Sequence, residues 1–90
     1  MPHALFLRVT PVHFDNWLAA HQAASQARRR YGITDGPLYR DAADPDVALI
    51  HLNVDDVDTA LSWFASDDFR AASRGVAVRQ RRLWIAEERM

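Results

Sequence analysis

The chain contains no cysteine, no lysine, only 3 glycines and 4 prolines in 90 residues, and no apolar run near the length of a membrane span. Without cysteine there is no disulfide, thiol nucleophile, thiolate zinc site or ferredoxin-type iron–sulfur cluster. No glutamate precedes Glu87, and the histidines at 3, 13, 21 and 51 show neither HExxH nor any other metal-ligand spacing. No metal or cofactor is therefore expected. The N-terminus has no basic region followed by a long apolar stretch, which predicts a soluble, cytoplasmic protein with no membrane partner. Charge of one sign is lacking too: 11 basic residues, all arginine, oppose 12 acidic ones for a net charge of −1. That balance argues against binding to a nucleic-acid backbone.

What is present is an ordinary folding composition, 49 % hydrophobic and 26 % charged. The length predicts a single domain over residues 1–90. A domain this small buries only roughly 60–65 % of its unfolded surface, so help from a second copy is physically reasonable.

Periodicity outlines six main segments. Leu5, Leu7 and Val9 alternate with Phe6, Arg8 and Thr10, giving a strand over residues 4–12 that Pro11 brings to its end. Phe14, Trp17, Leu18, His21, Ala24 and Ser25 then recur at helical spacing, predicting one helix from about residue 13 to Tyr31. Arg28, Arg29 and Arg30 fall in its last turn, where positive charge complements the helix dipole, and Gly32 follows as a C-cap. Gly36 and Pro37 open a strand over Leu38–Ala42. Asp44, Pro45 and Asp46 supply a turn into a second hairpin strand, Val47–Val54. Its alternation predicts Ala48, Ile50, Leu52 and Val54 toward the helices and Val47, Leu49, His51 and Asn53 away from them.

Asp55 and Asp56 suit a helix start. The stripe Val57, Ala60, Leu61 and Phe64 is expected to face the core, with Trp63 about 120° off its centre. A short helix from Ser66 or Asp67 to Arg74 points Phe69 and Ala72 inward and ends at Gly75, before a last strand, Val76–Ala86. The order βαββαβ predicts a ferredoxin-like α+β sandwich with both helical segments on one face of an antiparallel sheet. The other face would then expose Phe6, Arg8, Tyr39, Leu49, His51, Trp84 and Arg82, more apolar area than an isolated sheet leaves in water. A homodimer pairing two such faces would cover it.

Several of these residues also carry a resemblance. Phe14 Asp15 Asn16 Trp17 resembles the aromatic-Asp-any-Trp opening of the first helix in small proteins grouped with antibiotic biosynthesis monooxygenases, within the dimeric α+β barrel superfamily. The likeness continues through Tyr39 Arg40 Asp41, Asp44 Pro45 Asp46, Asp55 Asp56 and Ala60. Its most specific segment is Trp63, Ser66, Phe69 and Ala72. The resemblance implies two ferredoxin-like units forming a dimeric α+β barrel, with a cavity between each sheet and its helices for a small apolar or aromatic ligand. It includes cofactor-free oxygenases of polyketide quinones and haem-degrading enzymes. The latter use an Asn on the first strand, a Trp on the second helix and a His further along as haem ligand; here Trp63 matches the Trp, while the first strand offers Arg8 and the His position falls near Ser73.

Two histidines are candidate bases. A neutral imidazole at His51 or His21 could take a proton from an acidic phenol. More often a histidine in such a place is simply hydrogen-bonded to a neighbour, for His21 a backbone carbonyl. Arg8, Tyr39, Trp84, Phe6 and Trp63 are candidate ligand-binding residues, Arg8 as a fixed positive charge beside an enolate or phenolate, Trp63 at a pocket border. Ordinary packing and interface ion pairs account for them as well. Two functional classes remain open: a cofactor-independent monooxygenase-like enzyme, and a non-catalytic dimeric ligand-binding or structural module. RNA binding on the same topology is disfavoured because Val47–Val54 offers no stacking aromatic.

Overall fold

The computed structural model describes residues 3–89. Four strands form one antiparallel sheet: β1 (His3–Pro11), β2 (Ile33–Arg40), β3 (Ala48–Val54) and β4 (Val78–Glu87), in the order β2-β3-β1-β4. Helices α1 (Phe14–Ala23) and α2 (Ser25–Arg29) connect β1 to β2, and α3 (Val57–Trp63) and α4 (Asp67–Ala72) connect β3 to β4. This is the ferredoxin-like α+β sandwich anticipated from the periodicity.

The core lies between the helices and one sheet face. Leu5, Leu7 and Val9 of β1 and Ala48, Ile50, Leu52 and Val54 of β3 are all buried there, as the period of two requires. Aligned antiparallel pairs such as Leu5 with Leu52 and Leu7 with Ile50 hold the inward rows in register. Local signals close the ends of the helices. The Asp56 carboxylate accepts from the Thr59 backbone N–H at 2.9 Å, capping α3, and the Ser66 hydroxyl accepts from Phe69 N–H at 3.1 Å, capping α4. Gly32 turns the chain into β2 at φ 71°, a left-handed conformation that disfavours a side chain.

Four expectations change. The first helix is not continuous to Tyr31: it breaks at Ala24, whose backbone (φ −87°, ψ 5°) leaves the helical range. Beyond the break Arg28, expected only as one of three charges complementing the helix dipole, is buried at 3 % exposure.

Second, β2 starts earlier than Leu38 and ends at Arg40, running through Gly36 and Pro37 with an irregularity between Asp35 and Leu38. Two facts permit this. As an edge strand, β2 tolerates a residue without an N–H, and a Cβ at Gly36 would lie 2.6 Å from the His51 carbonyl oxygen, so only glycine fits that approach.

Third, Val47 is fully buried rather than outward, because it precedes β3 and sits in the turn, where its N–H donates to the Asp44 carbonyl and its carbonyl accepts from Asp41. Fourth, α3 presents Trp63 inward, 3 % exposed, while Leu61 is 38 % exposed. The helix is short, and the indole docks between Tyr31 and Phe69, with ring centroids 5.4 and 5.6 Å away. That large aromatic contact sets the rotation.

Candidate functional site

Between the helices and the inward sheet face lies a cavity of about 430 Å³, within the range of about 300–1,000 Å³ usual for small-molecule sites. Leu7, Val9, Ile50 and Leu52 form its sheet wall, and Trp17 and His21 of α1 and Trp63, Phe64 and Phe69 supply the aromatic walls. Its rim runs along the first residues of edge strand β4, through Arg79, Gln80 and Arg81. Among the described residues no aspartate or glutamate lines it.

His21 supplies an imidazole to the helical wall. Its ring stacks on Trp17 with centroids 5.2 Å apart and planes at 20°. Burial in these apolar surroundings, reinforced by the nearby Arg28 charge and opposed by Asp35, lowers its pKa to about 4. The imidazole is therefore unprotonated at neutral pH.

Arg28 also lines the cavity, but its charge is matched. Its Nε donates to Asp35 Oδ1 at 2.9 Å and its Nη2 to Oδ2 at 3.0 Å, a two-pronged pair joining α2 to β2. Burial pushes the Asp35 carboxyl up, yet the Arg28 hydrogen bond, with help from Ser25, outweighs it and holds the pKa below the usual value. Across the cavity, the Arg81 guanidinium carbon sits 4.8 Å from the centroid of Phe69 and 5.3 Å from that of Phe64.

The structure divides the residues singled out from sequence between two faces of the sheet. His21 and Trp63 line the cavity. Phe6, Arg8, Tyr39, His51 and Trp84 lie on the opposite, open face. Register sets them there in two rows: His51, Phe6 and Trp84 side by side across β3, β1 and β4, and Tyr39, Leu49, Arg8 and Arg82 across all four strands. His51 stacks on Phe6 at 5.0 Å and 13°, and Arg82 lies 4.9 Å over the Trp84 ring. The two candidate bases are thus separated by the sheet and share no site.

Arg79, Arg81 and the Arg28–Asp35 pair were not anticipated. The tripeptide of arginines gave no sign of which one turns inward, since that depends on the break at Ala24. Alternation along β4 does place Arg81 with Leu83 on the inward face, a signal that was available. Among the described residues no group of three or more His, Cys, Asp or Glu is placed to hold a metal ion, and no helix is long and apolar enough to cross a membrane.

Comparison with solved structures bears on this arrangement. The fold superimposes with a TM-score of 0.83 on that of a provisionally named antibiotic biosynthesis monooxygenase from Bordetella bronchiseptica, at 14 % identity and over 99 % of this chain and 98 % of that one. The chain has the antibiotic biosynthesis monooxygenase-like fold. A second protein with this fold, from Pseudomonas aeruginosa, gives 0.75 at 19 % identity, covering 99 % and 95 % of the two chains. A third, from Deinococcus radiodurans and also provisionally named an antibiotic biosynthesis monooxygenase, gives 0.70 at 16 % identity over 100 % and 94 %. No protein-family model and no curated protein sequence matches the chain. At these identities the likeness establishes the monooxygenase-like fold and leaves activity to the site itself.

Proposed function

We propose that this chain binds a small apolar or aromatic molecule in the cavity between helices and sheet, and that it does so as a homodimer paired through the open sheet face. The observation that carries the reading is the cavity of about 430 Å³, walled by Trp17, Trp63, Phe64 and Phe69 and containing one unprotonated imidazole. Apolar walls with a few convergent polar groups are the usual construction of a small-ligand site. The dimer is supported by the exposure of Phe6 (41 %), Tyr39 (60 %), Leu49 (37 %) and Trp84 (43 %) on one continuous face. At roughly 25 cal/mol per Å² of apolar area, covering these rings contributes an appreciable fraction of a small domain's stability.

Binding is better supported than base catalysis. An imidazole with a pKa near 4 is free to accept a hydrogen bond but is a weak acceptor of a phenolic proton, whereas an efficient base is matched to the working pH. The specific observation favouring a cofactor-independent monooxygenase-like reaction as a second reading is that the unprotonated His21 and the cationic Arg81 line the same cavity. In that reaction a phenol with a free para position takes one atom of O₂ as the quinone carbonyl. The other oxygen atom leaves as water with the two hydrogens lost from the phenol.

Titration of ¹⁵N-labelled protein with 1-naphthol tests the binding reading. Saturable shifts at Leu7, Ile50 and His21, with the outward residues Phe6 and Leu49 unmoved, are expected. Shifts confined to the outward residues would refute it. Native mass spectrometry of the same sample reads the subunit number, and a monomer at micromolar concentration would refute the dimer. Oxygen consumption with stoichiometric naphthoquinone would favour the enzyme, and its absence alongside saturable binding the non-catalytic protein.

A further inference from the structure

The cavity has an apolar interior and a cationic mouth. Among the described residues its lining includes three arginines and no carboxylate. Arg28 is matched by Asp35, so the unmatched positive charge belongs to Arg79 and Arg81. Among the described residues neither of these two forms an ion pair or donates a side-chain hydrogen bond within the protein.

Both are placed rather than merely exposed. The pairing of β1 with β4 shifts between Thr10 and Pro11, where Gln80 and Val78 are their partners, so Arg79 is the extra residue of a bulge. Bulges re-aim side chains at strand ends and beside binding sites. Arg81 follows on the inward face, its guanidinium resting over the Phe69 and Phe64 rings that wall the cavity. Stacking of this kind orients the planar group without using its N–H donors, which stay available for a carboxylate or phenolate oxygen. His21, being unprotonated, adds no cationic charge inside.

We infer that the ligand is an amphipathic anion: an aromatic or alicyclic body that fills the cavity, carrying one acidic group that Arg81 and Arg79 hold at the mouth. This rests on the binding reading above and names the class of ligand within it. A neutral hydrocarbon of the same shape would leave the two guanidinium groups unused, and a second acidic group placed in the interior would lie against Leu7, Ile50 and Leu52, which offer it no hydrogen bond.

A matched pair of probes separates the two ideas. Calorimetric titration at pH 7 with 1-naphthoate and with its neutral amide, 1-naphthamide, is expected to show the acid binding at least about tenfold more tightly, as a charge-assisted hydrogen bond provides. The preference should shrink as salt is raised. Arg81→Gln should remove most of the preference while leaving the amide's affinity within about twofold, with Arg29→Gln, on α2 away from the mouth, as the control for loss of one positive charge. Circular dichroism of each variant confirms that it is folded. Equal binding of acid and amide by the unaltered protein overturns the inference and leaves the cavity reading standing. A preference unchanged in Arg81→Gln and in Arg79→Gln also overturns it. If neither probe binds, the cavity reading fails and this inference with it.

Discussion

Because His21 is buried among apolar groups, the folded protein resists protonating it, and stability must respond to pH. Its pKa is lowered from 6.5 to about 4. Between those values the unfolded chain binds a proton that the folded chain does not, so acidification favours unfolding. The contribution is near zero above about pH 7 and reaches about 2 kcal/mol of destabilisation at pH 5, approaching about 3 kcal/mol near pH 4. With a urea slope near 1 kcal/mol/M for a small domain, the midpoint should fall by about 2 M between pH 7 and pH 5 at fixed protein concentration. Asp35 and Asp56, whose pKa values are depressed below 3.8, keep their stabilisation through this window and lose it only at more acidic pH. The discriminating comparison is His21→Phe, which preserves a ring against Trp17 and removes the titration. Its midpoint should fall by much less over the same interval. An equally steep fall in His21→Phe would refute the assignment of the acid sensitivity to this residue.

Trp63→Ala should cost about 3–5 kcal/mol in urea unfolding, the usual penalty for emptying a buried aromatic position, whereas Leu61→Ala, on the exposed side of α3, should cost under about 1 kcal/mol. Asp35→Asn leaves the Arg28 guanidinium charged and 3 % exposed without its carboxylate; discounted for the partial exposure of Asp35, a loss of about 2 kcal/mol is expected in the same assay. Trp84→Glu places a charge on the open face and should convert a dimer to monomers in sedimentation while the circular dichroism spectrum stays folded. A dimer of unchanged affinity would remove Trp84 from the interface.

Much of the architecture was legible because it depends on short-range rules. A period of two in Leu5, Leu7 and Val9 and again in Ala48, Ile50, Leu52 and Val54 separates a buried face from an open one, whatever the strands pair with. The caps Asp56 and Ser66 and the turn at Gly32 are local hydrogen bonds and local dihedral angles, readable from residue type alone. The same alternation placed Phe6, Arg8, Tyr39, His51 and Trp84 together on the open face, which the register of the sheet bears out.

The site itself depended on longer-range packing. Which arginine turns inward after the break at Ala24 goes with Asp35, a residue on the next strand that accepts the two hydrogen bonds of Arg28; a helical periodicity in the segment before it carries no information about that partner. Trp63 rather than Leu61 faces inward because Tyr31, in the turn before β2, and Phe69 of α4 form its slot. His51 and His21 look alike as isolated histidines near apolar neighbours, but the sheet puts one beside Phe6 in the open and the other beside Trp17 in the cavity wall, where loss of water shifts its pKa. Patterns that act over a few residues set which side chains can be buried and the order of the strands and helices. Which polar groups share the cavity is a matter of long-range packing, because desolvation and pairing depend on what lies across the fold.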